Sequence, residues 1–234
     1  MPDHFDFAAH SRRAVLAGMA CLAAAPVARA EEASAPLAHG VLEKNELARV
    51  FEAIDTSLPS VMLETPDGEV AIADLLKGRT VLMPVWAEWC VPCLIEIPDF
   101  ARLQKAHGND KFAILPVLSS PQKQMTLDVT AWLLKTLKAD ALTPIVERHF
   151  GKALAQTLGR KGNSYSLPCN VLIAPNGRVV AREIGLESNG HDVPIDKDDR
   201  YNRAERAAAG ETQSLWGTPA GDEFAAALAN GFLG

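Results

Sequence analysis

Two cysteines, Cys90 and Cys93, stand at the junction of two segments with different hydrophobic patterns. The preceding residues 80–86 form an uncharged, mostly apolar run, which is typical of a strand covered on both faces. The following residues 92–107 carry apolar side chains at helical spacing. Because cysteines three residues apart face each other only where the chain turns into a helix, the junction predicts a strand, a redox pair and a helix in that order.

The two cysteines are expected to differ chemically. Cys90 would lie at the helix N-terminus, where free amide groups and the helix dipole stabilise a thiolate. Cys93 would lie one turn inward and be shielded from solvent. We therefore expect Cys90 to be the exposed cysteine that attacks a substrate disulfide, and Cys93 to resolve the mixed disulfide and close the internal Cys90–Cys93 bond. Pro92 suits the first helical turn, since no amide donor is needed there.

A Cys-x-x-Cys pair has two other interpretations. It is half of a structural zinc site, but the sequence has no second cysteine pair and no histidine pair at ligand spacing. It could also be a plain structural disulfide, which would not require a strand before it and a helix after it. The strand–motif–helix context favours redox chemistry, and we expect neither a metal nor a cofactor.

The N-terminus has the pattern of an export signal. The Arg12-Arg13 pair precedes an uncharged apolar run over residues 14–28, which is shorter than the roughly 20 residues that a spanning helix needs. A small-x-small pattern at 28–30 fits a cleavage site. The paired arginines predict a twin-arginine signal peptide over residues 1–30, and thus a periplasmic protein. The alternatives are an uncleaved membrane anchor and a lipoprotein cysteine at Cys21.

Removal of that segment would leave three of the four cysteines, the Cys90–Cys93 pair and Cys169. Export would place them where disulfides persist. Cys169 is then either a small buried apolar residue or a third redox cysteine. The formal net charge of −6 and the apolar content of 48% are those of an ordinary globular protein, without the basic surplus that predicts nucleic-acid binding.

The rest of the chain reads as a mixture of strands and helices, which indicates an α/β protein. The predicted helices cover Glu46–Ile54, Leu127–Leu137, Pro144–Leu158 and Phe224–Phe232, with one helical turn at Ala73–Leu76. The predicted strands cover Val61–Leu63, Val70–Ile72, Phe112–Leu118, Pro168–Ala174 and Val179–Ile184. Pro84 and Pro116 lie inside predicted central strands, where proline removes a ladder donor, so we expect a bulge or shorter strands there.

The motif run from Trp86 to Cys93 resembles the active site of the thioredoxin superfamily. The continuation Cys93-Leu94-Ile95-Glu96-Ile97-Pro98 resembles the Cys-x-x-Glu-x-Pro extension of the TlpA/ResA/DsbE group of exported thiol–disulfide oxidoreductases. The Pro66-Asp67-Gly68 turn resembles part of that group's N-terminal addition. The resemblance spans about residues 58–186 and the closing helix.

The resemblance implies a thioredoxin fold, with a central mixed sheet flanked by helices, an N-terminal hairpin extension and an insertion before the C-terminal helix. Residues 31–57 would form a linker and a short helix. Residues 58–234 would form the thioredoxin-like domain. Its insertion would be the polar segment 187–218.

The resemblance also implies roles for residues around the pair. Glu96 would tune the cysteine pKa values and assist proton transfer, although a first-turn acid can simply favour the helix dipole. Leu167 and Pro168 would form a loop with a cis peptide bond, whose backbone pairs with an extended client segment. An ordinary trans proline that opens a strand is the alternative. Trp89 and Pro92 would complete the substrate-binding surface.

Two departures from the resembling proteins bear on function. Thioredoxin itself has a buried aspartate six residues before its first cysteine, and Pro84 stands at that place here, so proton handling would fall to Glu96. The pair Val91-Pro92 lacks the histidine of strongly oxidising relatives, so the thiolate is less stabilised. The second departure favours a reductant over a strong oxidant.

We therefore expect an exported thioredoxin-like reductase of disulfides in partner proteins, such as apocytochrome c or copper-site assembly proteins, recharged by a membrane electron donor. A thiol oxidase or isomerase on the same fold is one alternative. A copper metallochaperone is another, although the copper-delivering relatives use a Cys-x-x-x-Cys spacing that is one residue longer.

Overall fold

The computed structural model describes residues 37–76, 78–120, 124–148, 151–158, 166–184 and 214–233. The predicted signal peptide over residues 1–30 and residues 187–213 of the predicted insertion lie outside the described residues. Within the described ranges, none of the helices is both long enough and apolar enough to span a bilayer.

The described residues form strands and helices in a mixed order. The strands are β1 (Glu52–Ser57), β2 (Met62–Thr65), β3 (Gly68–Ala71), β4 (Thr80–Trp86), β5 (Phe112–Ile114), β6 (Val117–Ser119), β7 (Ile145–Glu147), β8 (Cys169–Ile173) and β9 (Arg178–Ile184). The helices are α1 (Glu46–Val50), α2 (Ile72–Leu76), α3 (Val91–His107), α4 (Leu127–Thr136), α5 (Lys152–Leu158) and α6 (Pro219–Ala229), with 3-10 turns at Gly40–Leu42 and Leu215–Gly217.

The strands form one mixed sheet in the order β1-β9-β8-β4-β6-β7-β2-β3, with β5 paired to the first half of β4. Strand β4 runs parallel to β5 and β6 and antiparallel to β8. The connection from β4 through α3 to β5 is therefore a parallel crossover. The β2–β3 hairpin joins the sheet through antiparallel pairing of β2 with β7. The predicted thioredoxin fold with an N-terminal hairpin is confirmed.

Strand β4 is buried along its whole length because both faces of the sheet are covered. Leu82 and Trp86 pack in the cluster that contains the apolar face of α3 and the closing helix α6. Val81, Met83 and Val85 point to the opposite cluster, beneath α2 and α5. This alternation decides which side chains lie beneath the motif helix.

The helix predicted over Glu46–Ile54 is wrong beyond Val50. Phe51 is already extended, and strand β1 begins at Glu52 and pairs antiparallel with β9. Along β1 the half-buried and exposed residues alternate, as expected of an edge strand. The apolar spacing fits both patterns in so short a segment, and pairing with β9 decides between them.

The helix predicted over Pro144–Leu158 is also wrong in its first part. Residues Ile145–Glu147 form β7, a strand buried between β6 and β2, and the helix α5 begins only at Lys152. A short strand covered on both faces lacks the alternation of apolar and polar residues that marks a strand, so its sequence does not distinguish it from a buried helix.

The two prolines in predicted strands behave differently. Pro116 separates β5 from β6, so the strand predicted over Phe112–Leu118 is two short strands joined at Leu115. The amide of Leu115 still donates to the carbonyl of Leu82, which keeps the chain alongside β4. Pro84 does not interrupt β4, where it lies opposite Asn170 of β8.

The remaining helices lie close to their predicted positions. Helix α4 begins after Thr126, whose side chain accepts from the amide of Val129, and covers the predicted segment to Thr136. The closing helix α6 begins at Pro219, earlier than predicted, and ends at Ala229. It packs Phe224 against Trp216 and Phe51.

Candidate active site

Cys90 and Cys93 form a disulfide at the junction of β4 and α3, with a Cα–Cα distance of 5.3 Å. Cys90 is the N-cap residue of α3, and its Sγ accepts a 3.3 Å hydrogen bond from the amide of Cys93. Pro92 lies in the first turn, as predicted. The sulfur of Cys90 therefore occupies the place where a helix N-terminus stabilises negative charge.

In this disulfide form both cysteines are largely covered by protein. The exposed fraction is 4% for Cys90 and 1% for Cys93. The expectation of an open Cys90 is thus not met in the oxidised state. The neighbouring Trp89 is instead the exposed large side chain of the motif, with an exposed fraction of 44%.

Leu167 and Pro168 directly precede β8, which pairs with β4. The peptide bond between these residues is cis, which confirms the predicted conformation. Val85 pairs with Cys169 across β4 and β8, so Pro168 lies beyond that pair, level with Trp86 at the end of β4 that leads into the motif. Leu167 is half-buried and Pro168 is buried.

Glu96 is buried on α3, one helical turn beyond Cys93. Residues three apart on a helix share a face, so Glu96 and Cys93 point to the same side. The Glu96 Oε2 atom accepts a 3.3 Å hydrogen bond from Nδ2 of Asn170 on β8. The same Asn170 nitrogen donates at 2.7 Å to Oε2 of Glu183 on β9.

Burial raises the pKa of Glu96 well above its ordinary value. The nearby negative charges of Glu183 and Asp99 raise this pKa further, and the hydrogen bond from Asn170 opposes the increase. A carboxyl with a raised pKa binds its proton more tightly than an ordinary carboxyl and can exchange it with a thiol. The position predicted for Glu96 is thus a buried acid beside the redox pair.

Asp99 lies one turn further along α3. Burial raises its pKa, and hydrogen bonds with Ser214 oppose the increase. The Ser214 hydroxyl donates to Asp99 Oδ2 at 2.7 Å, which ties the start of the closing 3-10 turn to the motif helix.

Glu88, which precedes Trp89 in the motif, is half-buried. Its Oε1 atom accepts a 3.0 Å hydrogen bond from the hydroxyl of Ser120, at the end of β6. Its Oε2 atom is buried and has no hydrogen-bond partner within the described part of the chain. The loop before Cys90 is therefore fastened to the neighbouring parallel strand.

Cys169 is a buried cysteine between Pro168 and Asn170. Its side chain belongs to the apolar cluster of Val85 and Val171, on the face of the sheet away from Cys90 and Cys93. The structure thus brings Cys169 close to the motif in the chain but places its thiol on the other side of the sheet.

Sequence reasoning missed two residues of this site, Asn170 and Glu183. Asn170 carried a signal, because it is a polar residue inside the apolar run of β8. Glu183 points to the same face of β9 as the buried Ala181, two residues earlier in the strand. Among the residues that the structure describes, no group of three or more His, Cys, Asp or Glu side chains could hold a metal ion.

A disulfide at a strand–helix junction, on a thioredoxin fold with a cis-proline at the same sheet edge, defines a thiol–disulfide oxidoreductase. The Redoxin family model matches residues 53–198, which is more than half of the chain, and the chain belongs to that family.

Curated relatives agree with this class. The chain is 28% identical over 134 residues to sporulation thiol-disulfide oxidoreductase A of Bacillus subtilis, which covers 55% of this chain and 73% of the relative. It is 41% identical over 59 residues to the thioredoxin-like protein YneN of the same organism. That match covers 25% of this chain and spans only about a third, 34%, of YneN.

Solved structures with a similar fold include a thioredoxin-family thiol:disulfide interchange protein from Chlorobium tepidum. It is 24% identical, covers 67% of this chain and 99% of its own, and has a TM-score of 0.44. StoA from Bacillus subtilis is 21% identical, covers 64% of this chain and 100% of its own, and has a TM-score of 0.43.

Proposed function

We propose that this chain reduces disulfides of exported proteins with its Cys90–Cys93 dithiol. The observation that supports this direction is the charge along the motif. Val91 and Pro92 between the cysteines are apolar, and the ionisable residues that flank the pair, Glu88 and Glu96, are acidic. Carboxylates beside a dithiol disfavour its thiolate form, and a less stabilised thiolate makes the reduced protein a stronger reductant.

In the proposed reaction, the Cys90 thiolate attacks one sulfur of a client disulfide. A Cys90–client mixed disulfide forms, and the other client sulfur leaves as a thiolate. Cys93 then loses its proton and attacks Sγ of Cys90, which forms the internal disulfide and releases the second client sulfur. The client gains two electrons, and the protein ends in the disulfide state of this structure.

Client binding is assigned to four residues around the pair: Trp89, Pro92, Leu167 and Pro168. The exposed face of Trp89 offers apolar contact next to Cys90. The backbone around Leu167, at the same edge of the sheet, would pair with an extended client segment by strand-like hydrogen bonds. Both features recognise an extended chain around a disulfide more than any particular side chain.

Glu96 is assigned the proton transfer at Cys93. It is buried, shares a helix face with Cys93, and holds a raised pKa, which brings its proton affinity closer to that of a thiol. No carboxylate stands at residue 84, where Pro84 lies in the middle of β4. The acid proposed to exchange a proton with Cys93 is therefore Glu96 on α3, and not a residue of β4.

Location and partners follow from the N-terminal pattern. A twin-arginine signal over residues 1–30 would deliver the chain to the periplasm, or an uncleaved signal would anchor it there. Clients would be exported proteins with disulfides or dithiols, such as apocytochrome c or copper-site assembly proteins. A membrane electron donor would return the Cys90–Cys93 disulfide to the dithiol.

The midpoint potential of the Cys90–Cys93 couple tests the direction. Equilibration with glutathione or dithiothreitol should give a value near that of thioredoxin, about −270 mV. A value near that of DsbA, about −120 mV, would instead make the protein an oxidase. In an insulin-reduction assay, Cys90→Ser should abolish turnover and Cys169→Ala should retain it. Full turnover by Cys90→Ser would exclude the mechanism.

A further inference from the structure

Asn170 connects two carboxylates that lie far apart in the sequence. Its side-chain nitrogen donates to Glu96 on α3 at 3.3 Å and to Glu183 on β9 at 2.7 Å. The exposed fractions of Glu96, Asn170 and Glu183 are 3%, 0% and 1%. Two acids and one amide are thus enclosed together in the protein interior, which is costly unless they are hydrogen-bonded and charge is neutralised by a bound proton.

The sheet register places this group beneath the motif helix. Pro84 of β4 lies opposite Asn170 of β8, and Asn170 lies opposite Glu183 of β9. Directly paired residues point to the same face of a sheet, and Asn170 and Glu183 both reach toward α3. Glu96 therefore stands between the resolving Cys93 on its own helix and the Glu183 carboxylate on the sheet.

Two carboxylates in one buried site repel each other, so one proton is retained between them. The 2.7 Å hydrogen bond from Asn170 to Glu183 has the length of a charge-assisted bond, and the 3.3 Å bond to Glu96 is longer. This difference assigns the negative charge to Glu183 and the proton to Glu96 in the disulfide form.

The other groups around Glu96 do not cancel this effect. On α3, Asp99 adds a second negative charge. On β4 the facing residue is Pro84, which carries no charge, and on β8 it is Asn170. The thiol of Cys169 lies on the opposite face of the sheet. The field at Glu96 from these described residues is therefore negative.

We propose that Glu183, linked through the Asn170 amide, is a positioning residue that makes Glu96 a stronger base for the Cys93 thiol. This role rests on the reductase function proposed above. In the mixed disulfide, the Cys93 proton passes to the Glu96 carboxylate, and the Cys93 thiolate attacks Sγ of Cys90. The Sγ–Sγ bond forms, the Cys90–client bond breaks, and the client sulfur leaves as a thiolate that is protonated by water.

The resolving step can be observed directly with an aromatic disulfide such as 5,5′-dithiobis(2-nitrobenzoate). Attack by Cys90 releases the first nitrothiobenzoate, and attack by Cys93 on the mixed disulfide releases the second. The rate of the second release as a function of pH reports the ionisation that Cys93 attack requires. The pH profile of the second release would be compared between the wild type and four variants. These are Glu183→Gln, Glu96→Gln, the double variant and a matched buried control, Glu147→Gln.

The Glu183→Gln substitution keeps the shape of the side chain and removes its negative charge. In the plot of the second-release rate against pH, the rising limb on the acid side should move to lower pH by about one pH unit. The plateau rate should fall, because Glu96 becomes a weaker base. Glu147→Gln should keep the wild-type profile. In the Glu96→Gln background, adding Glu183→Gln should cause no further shift, because the effect of Glu183 passes through Glu96.

A Glu183→Gln profile that coincides with the wild type, while Glu96→Gln differs from it, would overturn this role and leave the reductase function intact. A shift of the same size in the Glu96→Gln background would also overturn it, since Glu183 would then act on Cys93 directly. A wild-type profile in Glu96→Gln would instead refute the base assigned in the proposed function.

Infrared titration of the oxidised wild type provides a readout that does not depend on folding of the Glu183 variant. A protonated carboxyl band should persist to higher pH in the wild type than in Glu96→Gln. Coincident carboxyl titrations in the wild type and Glu96→Gln would overturn the assignment.

Discussion

The amide of Cys93 donates a 3.3 Å hydrogen bond to Sγ of Cys90. This contact makes Cys90 the cap of the motif helix, so its sulfur faces the free amides of the first turn. Cys93 lies inside the helix and has no such position. The two sulfurs of one disulfide thus differ in their ability to carry negative charge.

The difference predicts unequal reactivity in single-cysteine variants. With Cys93→Ser, Cys90 should react with iodoacetamide at pH 7 at least about tenfold faster than Cys93 does in Cys90→Ser, because only Cys90 has a stabilised thiolate. Rates are measured by mass spectrometry, with Cys169→Ala added to both variants. Equal rates would show that the helix N-terminus does not select the nucleophile.

Trp89 is expected to act in client binding and not in stability. Trp89→Ala should raise KM for insulin several-fold and leave the free energy of unfolding within about 0.5 kcal/mol of the wild-type value, since 44% of its surface is exposed. Trp132→Ala is the matched control, because Trp132 is exposed on α4. The prediction fails if both variants raise KM equally.

Glu96 and Asp222 should affect stability in opposite directions with pH. The pKa of Glu96 is raised in the folded state, so its contribution is present below its unfolded pKa of about 4.3 and is lost as pH rises through the folded value. Glu96→Gln cannot ionise. The oxidised variant should therefore gain stability over the wild type as pH rises from 4 to 8, as measured by urea unfolding.

The Asp222 prediction has the reverse sign. A hydrogen bond with Arg102 at 2.8–2.9 Å, and one with His107 at 3.1 Å, hold the pKa of Asp222 below its usual value. Its contribution is present above the unfolded pKa of about 3.9 and is lost as pH falls through the folded value.

Asp222→Asn should thus destabilise the protein at pH 7, by about 1 kcal/mol or less because the pair is exposed, and this cost should shrink as pH falls. Asp55→Asn is the matched control, since Asp55 also pairs with an arginine, Arg178, but is far more exposed. An unchanged cost for Asp222→Asn from pH 7 to pH 2 would contradict the assignment.

The motif was predictable because its determinants are local. The buried run of β4, the two cysteines and the apolar stripe of α3 follow one another in the chain, and each has its own pattern. Strands β1 and β7 were not predictable, because each is short and its apolar residues also fit a helix. Pairing with distant strands decides their conformation.

The Glu96–Asn170–Glu183 group was not predictable from the sequence for a related reason. Its hydrogen bonds join residues separated by 74 and 13 positions. They meet only because β8 pairs with both β4 and β9 in one particular register. A shift of one residue would turn Asn170 to the other face of the sheet.

Cys169→Ala should retain dithiol turnover, since its thiol lies on the face of the sheet away from the disulfide. The cost in unfolding free energy should be about 1 kcal/mol, from lost packing in a buried site. Insulin reduction and urea unfolding measure the two effects. Loss of turnover in a folded Cys169→Ala variant would identify a third redox cysteine.

The position of Cys169 also bears on which disulfides the protein can form. A chain with more than two cysteines can close wrong pairings while it is still unfolded. Once β4 and β8 have paired, the sheet separates the Cys169 thiol from the sulfurs of Cys90 and Cys93. Of the three cysteines that the structure describes, only Cys90 and Cys93 can then pair within one folded molecule, and burial keeps Cys169 from exchange with clients.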